Sequence, residues 1–389
     1  MEQSTDPGRW DFGLDEEQEA RAARLHQECL VADLMNQHPG GANIFKTYDP
    51  RQLKQALGDV EEGLSGVGQA IAAPYRLAAT GQSDEIHRWW RQSGVDLGVF
   101  GVRMGPPHII EAMGGYREMV DLLWGLGWLR KCTTAAEIRA AKAEGAVAMY
   151  GYCQPVYGLS QDIDDVNRAY DDGLRVLMLT YNRQDYVGAG CTEPTDAGLS
   201  RFGCQVVERC NELGIVVDTS HCGMQTTLDA CRLSSTPVLA NHSCAQGVYG
   251  HARGKSDGEL DAIAGTGGLV GLVAVPFFLS PDPEASVDVV LDHIDYINER
   301  IGWRHIGIGT DWPMQAPEDV IEATLGAIVD EIGFRPEDNI STTQTLRGFQ
   351  DYRDMPNITR GLVARGYDDE QIAGILGENF MRVFEEVCG

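Results

Sequence analysis

The chain has 389 residues, which is long for one average domain but ordinary for a barrel that carries insertions. Hydrophobic residues make up 43% of it, enough for a large core, so the composition excludes global disorder. The balance of 31 Lys and Arg against 58 Asp and Glu gives a formal net charge of −27. This charge argues against nucleic acid and anionic membranes as partners, because both require clustered positive charge.

No stretch of the sequence has the composition of a targeting or membrane segment. Residues 1–28 are polar and acidic, and no later stretch reaches about 18 consecutive uncharged apolar residues. The ten cysteines form no CxxC pair, and several lie inside apolar patterns, as is usual for small buried hydrophobes in a cytosolic protein. We therefore expect a cytoplasmic protein that does not cross a membrane.

Short apolar runs bounded by Gly, Asp or Asn recur along the chain, and most are separated by segments of helical period. The runs lack polar alternation, as expected for parallel strands buried on both faces. The predicted strands are 29–33, 95–100, 146–150, 174–180, 215–218, 238–241, 268–274 and 305–310. Eight strands alternating with helices indicate an α/β fold, a single (β/α)8 TIM-type barrel spanning 1–389. No GxGxxG follows the first strand, which argues against a dinucleotide-binding sheet.

The segments between the strands predict helices with recognisable ends. The predicted helices are 135–144 after Thr133 and Thr134, 203–213 ending at Gly214, 257–264 capped by Asp257, and 285–300. Residues 34–94 and 101–145 exceed what a minimal barrel needs, and we interpret them as insertions near the mouth of the site. The apolar stretch 119–129 inside the second insertion favours a buried helix, with a homodimer surface as the alternative.

Polar residues follow the predicted strands, at the end where barrel enzymes place their chemistry. His221 and His242 follow adjacent strands, and neutral imidazoles are good zinc ligands at about 2.0–2.2 Å. Asp311, after the eighth strand, is a candidate third ligand or general base. Arg253 is a candidate for two-point binding of a substrate carboxylate. One such His alone is more often a structural residue, but two with an Asp favour a metal site.

Two other polar residues of this set have open interpretations. Asp218 either orients a histidine or only ties down its loop. Tyr181 is either a functional hydroxyl or a ring packed at the barrel rim.

At these residues the sequence resembles the membrane (renal) dipeptidase family of zinc peptidases. The resemblance covers most of the chain and is strongest over 145–272 and 306–311. It is carried by GLRVLMLTYN (173–182), DAGLSRFG (196–203), VVERCNELGIVVDTSHCG (206–223), PVLANHS (237–243), HIGIGTDW (305–312) and ILGENFMRVFEEV (375–387). It implies a (β/α)8 barrel and, in typical members, two zinc ions and frequent dimerisation.

The resemblance also implies roles for individual residues. His221 and His242 match the ligands of one ion, Arg253 matches the residue that binds the substrate carboxylate, and Asp311 matches a residue at the catalytic centre. We expect Gln154, Tyr181 and Asn182 to contact the substrate, with Tyr181 also taking part in catalysis.

The residues that match the other ion's ligands depart from the family pattern. The His-x-Asp after the first strand is replaced by Met35, Asn36 and Gln37, and the bridging Glu by Gln154. Neither a thioether nor a neutral amide replaces a His or a carboxylate as a zinc ligand. Some bacterial branches share the Gln and LTYN, so we interpret these changes as coordinated. His38, one residue further on, would be a substitute ligand if the loop were shifted.

The sequence leaves three hypotheses for function. The first is a dipeptidase-like hydrolase of a dipeptide or small amide with a free carboxylate, using one zinc ion at His221 and His242. The second is a lyase, isomerase or deacylase of a small carboxylated metabolite in the same barrel. The third is a non-catalytic homologue, against which the joint retention of His221, His242, Arg253 and Asp311 argues.

Overall fold

A computed structural model describes residues 9–36, 41–59, 63–102, 104–105, 122–311, 329–341 and 343–389 of the chain. Within these ranges the strands are β1 (Leu97–Gly101), β2 (Leu129–Cys132), β3 (Val147–Cys153), β4 (Leu174–Met178), β5 (Val216–Asp218), β6 (Val238–Ala245), β7 (Gly254–Lys255), β8 (Leu269–Leu272) and β9 (Ile306–Ile308). The strands that form the main sheet run in the order β1-β3-β4-β5-β6-β8-β9, and all their pairings are parallel.

Fifteen α-helices of the described ranges, besides short 3-10 segments and a helical turn at 122–125, lie before, between and after these strands. They are α1 (Glu16–Glu28), α2 (Gly41–Phe45), α3 (Pro50–Leu57), α4 (Gly63–Ala79), α5 (Glu85–Ser93), α6 (Ala135–Ala143), α7 (Asp164–Asp171), α8 (Arg201–Leu213), α9 (Met224–Leu233), α10 (Asp257–Gly265), α11 (Pro276–Leu279), α12 (Asp288–Ile301), α13 (Pro356–Ala364), α14 (Asp369–Ala373) and α15 (Asn379–Cys388). A π-helical turn, Gly374–Glu378, joins the last two.

The barrel is closed by the segment that the sequence predicts as its first strand. The amide of Asp33 donates to the carbonyl of Leu97 in β1 at 2.8 Å, and the amide of Leu34 donates to Ile308 in β9 at 2.8 Å. This segment therefore lies between the first and last strands of the sheet, although its only regular pairing is the parallel bridge of Ala32 with Leu97. Together with the seven strands of the main path it forms an eight-membered parallel barrel, which confirms the predicted fold class.

The apolar residues of the strands form two layers of core. Leu34, Val99, Val176, Leu239 and their neighbours pack inside the barrel. Residues on the outward face of the strands pack against the surrounding helices in a larger cluster. Burial of both faces explains why these strands read as continuous apolar runs.

Helix ends follow local rules, with corrections to the prediction: the helices predicted over 203–213 and 285–300 begin at Arg201 and Asp288. Thr134 caps α6 in a capping box with Glu137, and Gly214 ends α8 in the left-handed conformation, at φ +77°. The predicted cap of α10, Asp257, is wrong: Ser256 accepts the amide of Glu259, and Asp257 is the first helical residue. A negatively charged Asp is favourable there because the helix N-terminus carries partial positive charge.

Both predicted insertions contain regular structure. Residues 34–94 hold α2 to α5, and residues 101–145 hold β2 and α6. Strand β2 was not predicted, because its exposed Arg130 and Lys131 hide the apolar pattern. It pairs with the first half of β3 (Val147 to Tyr150), while β4 pairs with the second half. The stretch 119–129 is described only from residue 122, where a short helix with partly buried side chains leads into β2.

The backbone bulges at the point where β6 reaches the site. The register of β6 against β8 shifts between Ala240 and Ser243, so Asn241 and His242 lie in an irregularity of the strand. The carbonyl of Asn241 closely approaches Gly271 and Gly309, since a Cβ at either glycine would lie about 2.0 Å or less from this oxygen. Glycine at these two positions therefore makes room for the bulge that directs His242 into the barrel mouth.

The remaining fold-level expectations concern cysteines and membrane spans. All ten cysteines lie within the described ranges and are free thiols. Among the helices that could be searched, none combines the length and the apolar character that a membrane span requires.

Candidate metal and substrate site

The two predicted ligand histidines meet at the centre of the barrel mouth. His221 follows β5 and His242 lies in the bulge of β6, and their Nε2 atoms are 3.1 Å apart. The side chains are buried, with exposed fractions of 1% and 0%. The helix Met224–Leu233 and the first half of β6 separate the two histidines in sequence, and the fold brings them together as the sequence predicts.

Two asparagine side chains fix the orientation of these imidazoles. The Nδ1 of His221 lies 2.7 Å from Oδ1 of Asn182, and the Nδ1 of His242 lies 2.5 Å from Oδ1 of Asn241. The asparagine orientation is itself fixed, because each Nδ2 donates to a backbone carbonyl: Asn182 to Ile332 at 3.2 Å, and Asn241 to Leu34 at 2.9 Å. An amide oxygen only accepts, so both histidines carry their proton on Nδ1 and leave Nε2 unprotonated when neutral.

Burial and nearby positive charge keep both rings neutral. Burial lowers the pKa of His221 and His242 well below the usual value, and the charge of Arg253 lowers both further. Two Nε2 lone pairs therefore face each other at 3.1 Å, an arrangement that is favourable when an electrophile lies between them. Both nitrogens could then bind one metal ion, since neutral imidazole is a common zinc ligand.

The pair therefore fits two coordination positions of one ion. No third His, Cys, Asp or Glu among the described residues joins the two imidazoles to form a group that could hold a metal. The other positions would be left for water or substrate, as in a catalytic site with open positions.

A buried hydrogen-bond network supports His242 from below. Asp218 accepts the backbone amide of Asn241 at 2.8 Å and the hydroxyl of Tyr152 at 2.9 Å. Ser220 lies 2.7 Å from the same carboxylate, and its hydroxyl oxygen accepts the amide of His242 at 3.1 Å. Burial raises the pKa of Asp218. Asp218 thus touches neither imidazole directly; it fixes the backbone that carries them, the second of its two predicted readings.

Arg253 lies beside the histidines and is 1% exposed. Its Nη2 donates to the backbone carbonyl of His242 at 2.8 Å, its Nη1 donates to the carbonyl of Ser220, and its guanidinium lies 5.4 Å from the ring centre of Phe278. Its Nε is buried with no hydrogen-bond partner among the described residues. An unsatisfied N–H on a buried cation costs free energy unless an anion or other acceptor reaches it.

Tyr181 and Gln154 complete the wall next to His221. The Tyr181 ring stacks on the His221 ring, with centroids 4.0 Å apart and planes at 19°. Burial, followed by the negative charge of Asp311, raises the pKa of Tyr181, and its hydroxyl is hydrogen-bonded to the Gln154 side chain. The phenol therefore remains protonated and able to donate a hydrogen bond at neutral pH.

Asp311 is held in an unusual backbone conformation at the end of β9. Its φ is +48°, which is rare outside glycine, and its amide donates to the carbonyl of Met35 at 2.8 Å. The preceding Thr310 is fixed by Asp33, which accepts its amide at 2.8 Å and its hydroxyl at 2.5 Å. Strain of this kind is most often found at functional sites.

The neutral half of the site is only partly described. Met35 contributes its carbonyl to Asp311, and the Asn36 side chain accepts the backbone amide of Val99 in β1. Gln37 and His38 lie outside the described residues, so the proposal that His38 substitutes as a ligand stays a prediction.

Sequence reasoning assigned no role to two features that the structure places at the site. Asn241 directly precedes His242, and the rule that a ligand imidazole usually donates its other N–H would have identified it. Phe334 contacts Tyr181 and His221, but it lies more than a hundred residues away in sequence and no local pattern marks it. Asn182 was predicted to bind substrate, but both ends of its carboxamide are hydrogen-bonded to protein groups, Oδ1 to His221 and Nδ2 to the Ile332 carbonyl.

A parallel barrel with two buried imidazoles gathered at the C-terminal ends of adjacent strands has the arrangement of a barrel enzyme's active site. The sequence profile described as "Membrane dipeptidase (Peptidase family M19)" matches residues 127–325 and 321–388, more than half of the chain. The chain therefore belongs to the membrane dipeptidase family, which confirms the resemblance found in the sequence.

The individual relatives described next are each less than 30% identical in sequence to this chain. Dipeptidase tcpJ of Claviceps purpurea (strain 20.1) is 28% identical over 218 residues, which cover 55% of this chain and 45% of that protein. The match thus spans less than half of this curated relative. An amidohydrolase from Pseudomonas aeruginosa is similar in structure, with a TM-score of 0.71 and 24% identity over 95% of this chain and 99% of that one. The probable dipeptidase PvdM from Pseudomonas aeruginosa has a TM-score of 0.71 and 19% identity over 96% and 99%. At these identities both structures bear on the fold alone.

Proposed function

We propose that this protein is a metal-dependent hydrolase that cleaves a dipeptide, or a related small amide with a free carboxylate, using one zinc ion. The observation that carries the proposal is the convergence of the two Nε2 atoms of His221 and His242 at 3.1 Å, with both tautomers fixed. Membership of the membrane dipeptidase family supports the reaction class.

In this proposal the ion is held by His221 and His242, and Asp311 acts as the general base rather than as a third ligand, because it forms no metal-binding group with them among the described residues. When bound, the ion supplies positive charge that polarises the scissile carbonyl and makes water more acidic. One ion is favoured over two because Met35, Gln37 and Gln154 stand where the resemblance calls for imidazole and carboxylate ligands. No third group of the usual kind joins the pair among the described residues.

The protein's own residues would bind and orient the substrate. The buried Arg253 has an N–H to spare at Nε, which suits a substrate carboxylate. The protonated hydroxyl of Tyr181 would donate to the carbonyl oxygen as negative charge develops on it. Asp311, held by its strained backbone, would accept the proton of the attacking water at a carboxylate oxygen. Gln154 would orient the Tyr181 hydroxyl, and Asn182 would orient His221.

The proposal is tested by measuring amine release from a panel of L-L, L-D and dehydro-dipeptides with zinc-loaded protein. We expect cleavage of at least one member, and a large loss of kcat/KM when the substrate carboxylate is replaced by a carboxamide. If no member is cleaved while zinc is bound, peptide hydrolysis is wrong. The altered chemistry of a lyase, isomerase or deacylase is then favoured, since Gln154 supplies no carboxylate between two ions.

Two further predictions accompany this function. We propose that the protein is cytoplasmic, because its ten cysteines are free thiols, and that it forms a homodimer, as members of its family often do. Light scattering of the full chain would test the second prediction, and a mass of one chain at micromolar concentration would contradict it.

A further inference from the structure

Residues 329–341, which we call the cover segment, lie over the histidine pair. The Phe334 ring is 6.3 Å from Tyr181, 6.5 Å from His221 and 6.0 Å from Phe278, measured between ring centroids. With the cover segment in this position His221 and Arg253 are each 1% exposed. A dipeptide therefore cannot reach these groups unless the covering residues move.

Side chains of the barrel loops hold the cover segment by its backbone carbonyls. Thr192 Oγ1 donates to Gly333 at 2.7 Å, and His251 Nε2 lies 3.1 Å from the carbonyl oxygen of Asp338. Arg183 donates to the carbonyl of Asp330, and Asn182 Nδ2 donates to that of Ile332. Individual bonds of this type contribute only about 0.5–1.5 kcal/mol each, so they can be broken without unfolding the barrel.

Among these contacts only the one from Asn182 also reaches a proposed metal ligand. Its Nδ2 donates to Ile332 of the cover segment at 3.2 Å, while its Oδ1 accepts from His221 Nδ1 at 2.7 Å. The carboxamide is planar, so the position of one end determines the position of the other. Asn182 is fully buried, and removal of the Ile332 carbonyl would leave a buried donor unsatisfied and the amide held only at Oδ1, by His221 and Cys191.

We propose that Asn182 is a positioning residue that couples closure of the cover segment to the orientation and tautomer of His221. His221 is then held with its Nε2 lone pair toward His242 only when the cover segment is closed, which is when substrate is enclosed. The proposal rests on the proposed role of His221 as a zinc ligand. It assigns Asn182 a function within the protein rather than a direct contact with substrate.

The other histidine provides the internal comparison. Asn241 holds His242 in the same way, but its Nδ2 donates to Leu34 in the barrel wall rather than to the cover segment. The orientation of His242 should therefore be independent of the cover segment. The coupling is specific to one of two chemically equivalent rings in a single molecule.

The test uses the full chain as purified, with its histidines labelled with 15N, and two variants. Arg183→Met removes a cover contact from an exposed side chain that does not touch His221, and Asn182→Ala removes both ends of the coupling. Ring 15N shifts report the tautomer of each histidine, and hydrogen exchange reports the amides of Gly333 and Phe334. These amides are bonded within the cover segment, to Asp330 and Val329.

In both variants we expect faster exchange of the Gly333 and Phe334 amides and a shift of the His221 ring signals toward a tautomer mixture, with His242 unchanged. In Asn182→Ala we also expect zinc affinity, measured by competition with a chelating indicator, to fall by about 10- to 100-fold. An unchanged His221 signal in Arg183→Met, or unchanged exchange in Asn182→Ala, would overturn the coupling. If wild-type protein binds no zinc, the proposed function fails, but the ring shifts and exchange rates still decide the coupling.

Discussion

The two histidines of the site are held by the same kind of hydrogen bond, but their asparagine partners are anchored to different parts of the molecule. Asn241 is fixed to the Leu34 carbonyl inside the closed barrel, whereas Asn182 is fixed to Ile332 in the cover segment. One imidazole is therefore part of the permanent scaffold, and the other is complete only when the site is closed. The two histidines thus make the same hydrogen bond to an asparagine side chain. The rigidity of each ring depends on the group to which that asparagine is itself bonded.

The support beneath the two rings differs as well. On the scaffold side, Asp218 and Ser220 fix the backbone of Asn241 and His242 through fully buried bonds. On the other side, Tyr181 stacks on the His221 ring and Phe334 also contacts it, so aromatic rings lie against this imidazole. Substitutions on the two sides should therefore change different properties.

The largest effect is expected for Arg253→Met, since Arg253 donates to the backbone carbonyls of Ser220, after β5, and of His242, in β6. Loss of the buried cation should lower kcat/KM for a dipeptide with a free carboxylate by roughly 10²- to 10³-fold. Steady-state kinetics on the same dipeptide with a carboxamide terminus is the matched control, and there the loss should be much smaller. Equal losses on both substrates would show that Arg253 is only structural.

Tyr181→Phe tests the side of the site next to the cover segment. The hydroxyl is removed while the stacked ring on His221 is kept, so kcat should fall by about 10²-fold, with zinc content and KM nearly unchanged. Kinetics with elemental analysis of the same sample checks this. An unchanged kcat would assign Tyr181 to the alternative role of a packed ring at the rim.

Asn241→Ala compares the two anchors directly. Zinc affinity should fall by about 10- to 100-fold, as for Asn182→Ala, because a ligand imidazole loses the acceptor that orients it. Hydrogen exchange of the Gly333 and Phe334 amides should not change, in contrast to Asn182→Ala. Faster exchange in Asn241→Ala would mean that the two anchors are not independent.

The smallest effect concerns acid stability on the scaffold side. His293 accepts the amide of Ala245 at the end of β6 through Nδ1 at 3.0 Å, and burial lowers its pKa to about 4. In the unfolded chain this imidazole has a pKa of about 6.5. The stabilising contribution of the neutral His293 to the free energy of unfolding is therefore complete above pH 6.5 and is lost as the pH falls toward 4.

A group that is protonated in the unfolded chain but not in the folded protein lowers the free energy of unfolding by about 1.4 kcal/mol for each unit by which the pH falls in this range. Between pH 6.5 and 5, the free energy of unfolding of His293→Gln should therefore fall by about 2 kcal/mol less than that of wild type, as measured by urea unfolding. Parallel curves for the two proteins would contradict the assignment.

Much of the fold could be predicted because its determinants are local. Strands buried on both faces give continuous apolar runs, and all eight predicted runs lie in the barrel wall. Strand β2 was missed because its outward Arg130 and Lys131 break the run. The cap of α10 was placed one residue late, because Ser256 and Asp257 are both good caps and only the backbone geometry decides between them.

Only those site residues that directly follow a predicted strand could be predicted from the sequence. His221 and His242 were identified because they follow adjacent strands, and the barrel brings them to 3.1 Å. The anchors Leu34 and Ile332 could not be found, because both are backbone carbonyls more than a hundred residues from the asparagines that they bind. Any type of residue can supply a backbone carbonyl, so the sequence does not indicate which residue acts as the acceptor.

The central claim is that His221 and His242 together bind one metal ion. Elemental analysis of protein purified without chelator or added metal tests it most directly, with His221→Ala as the matched variant. The account predicts about one zinc per wild-type chain and none in His221→Ala of intact fold, as judged by circular dichroism. Wild-type protein that stays empty after addition of Zn²⁺, Mn²⁺ or Co²⁺, or a His221→Ala variant with unchanged metal content, would contradict it.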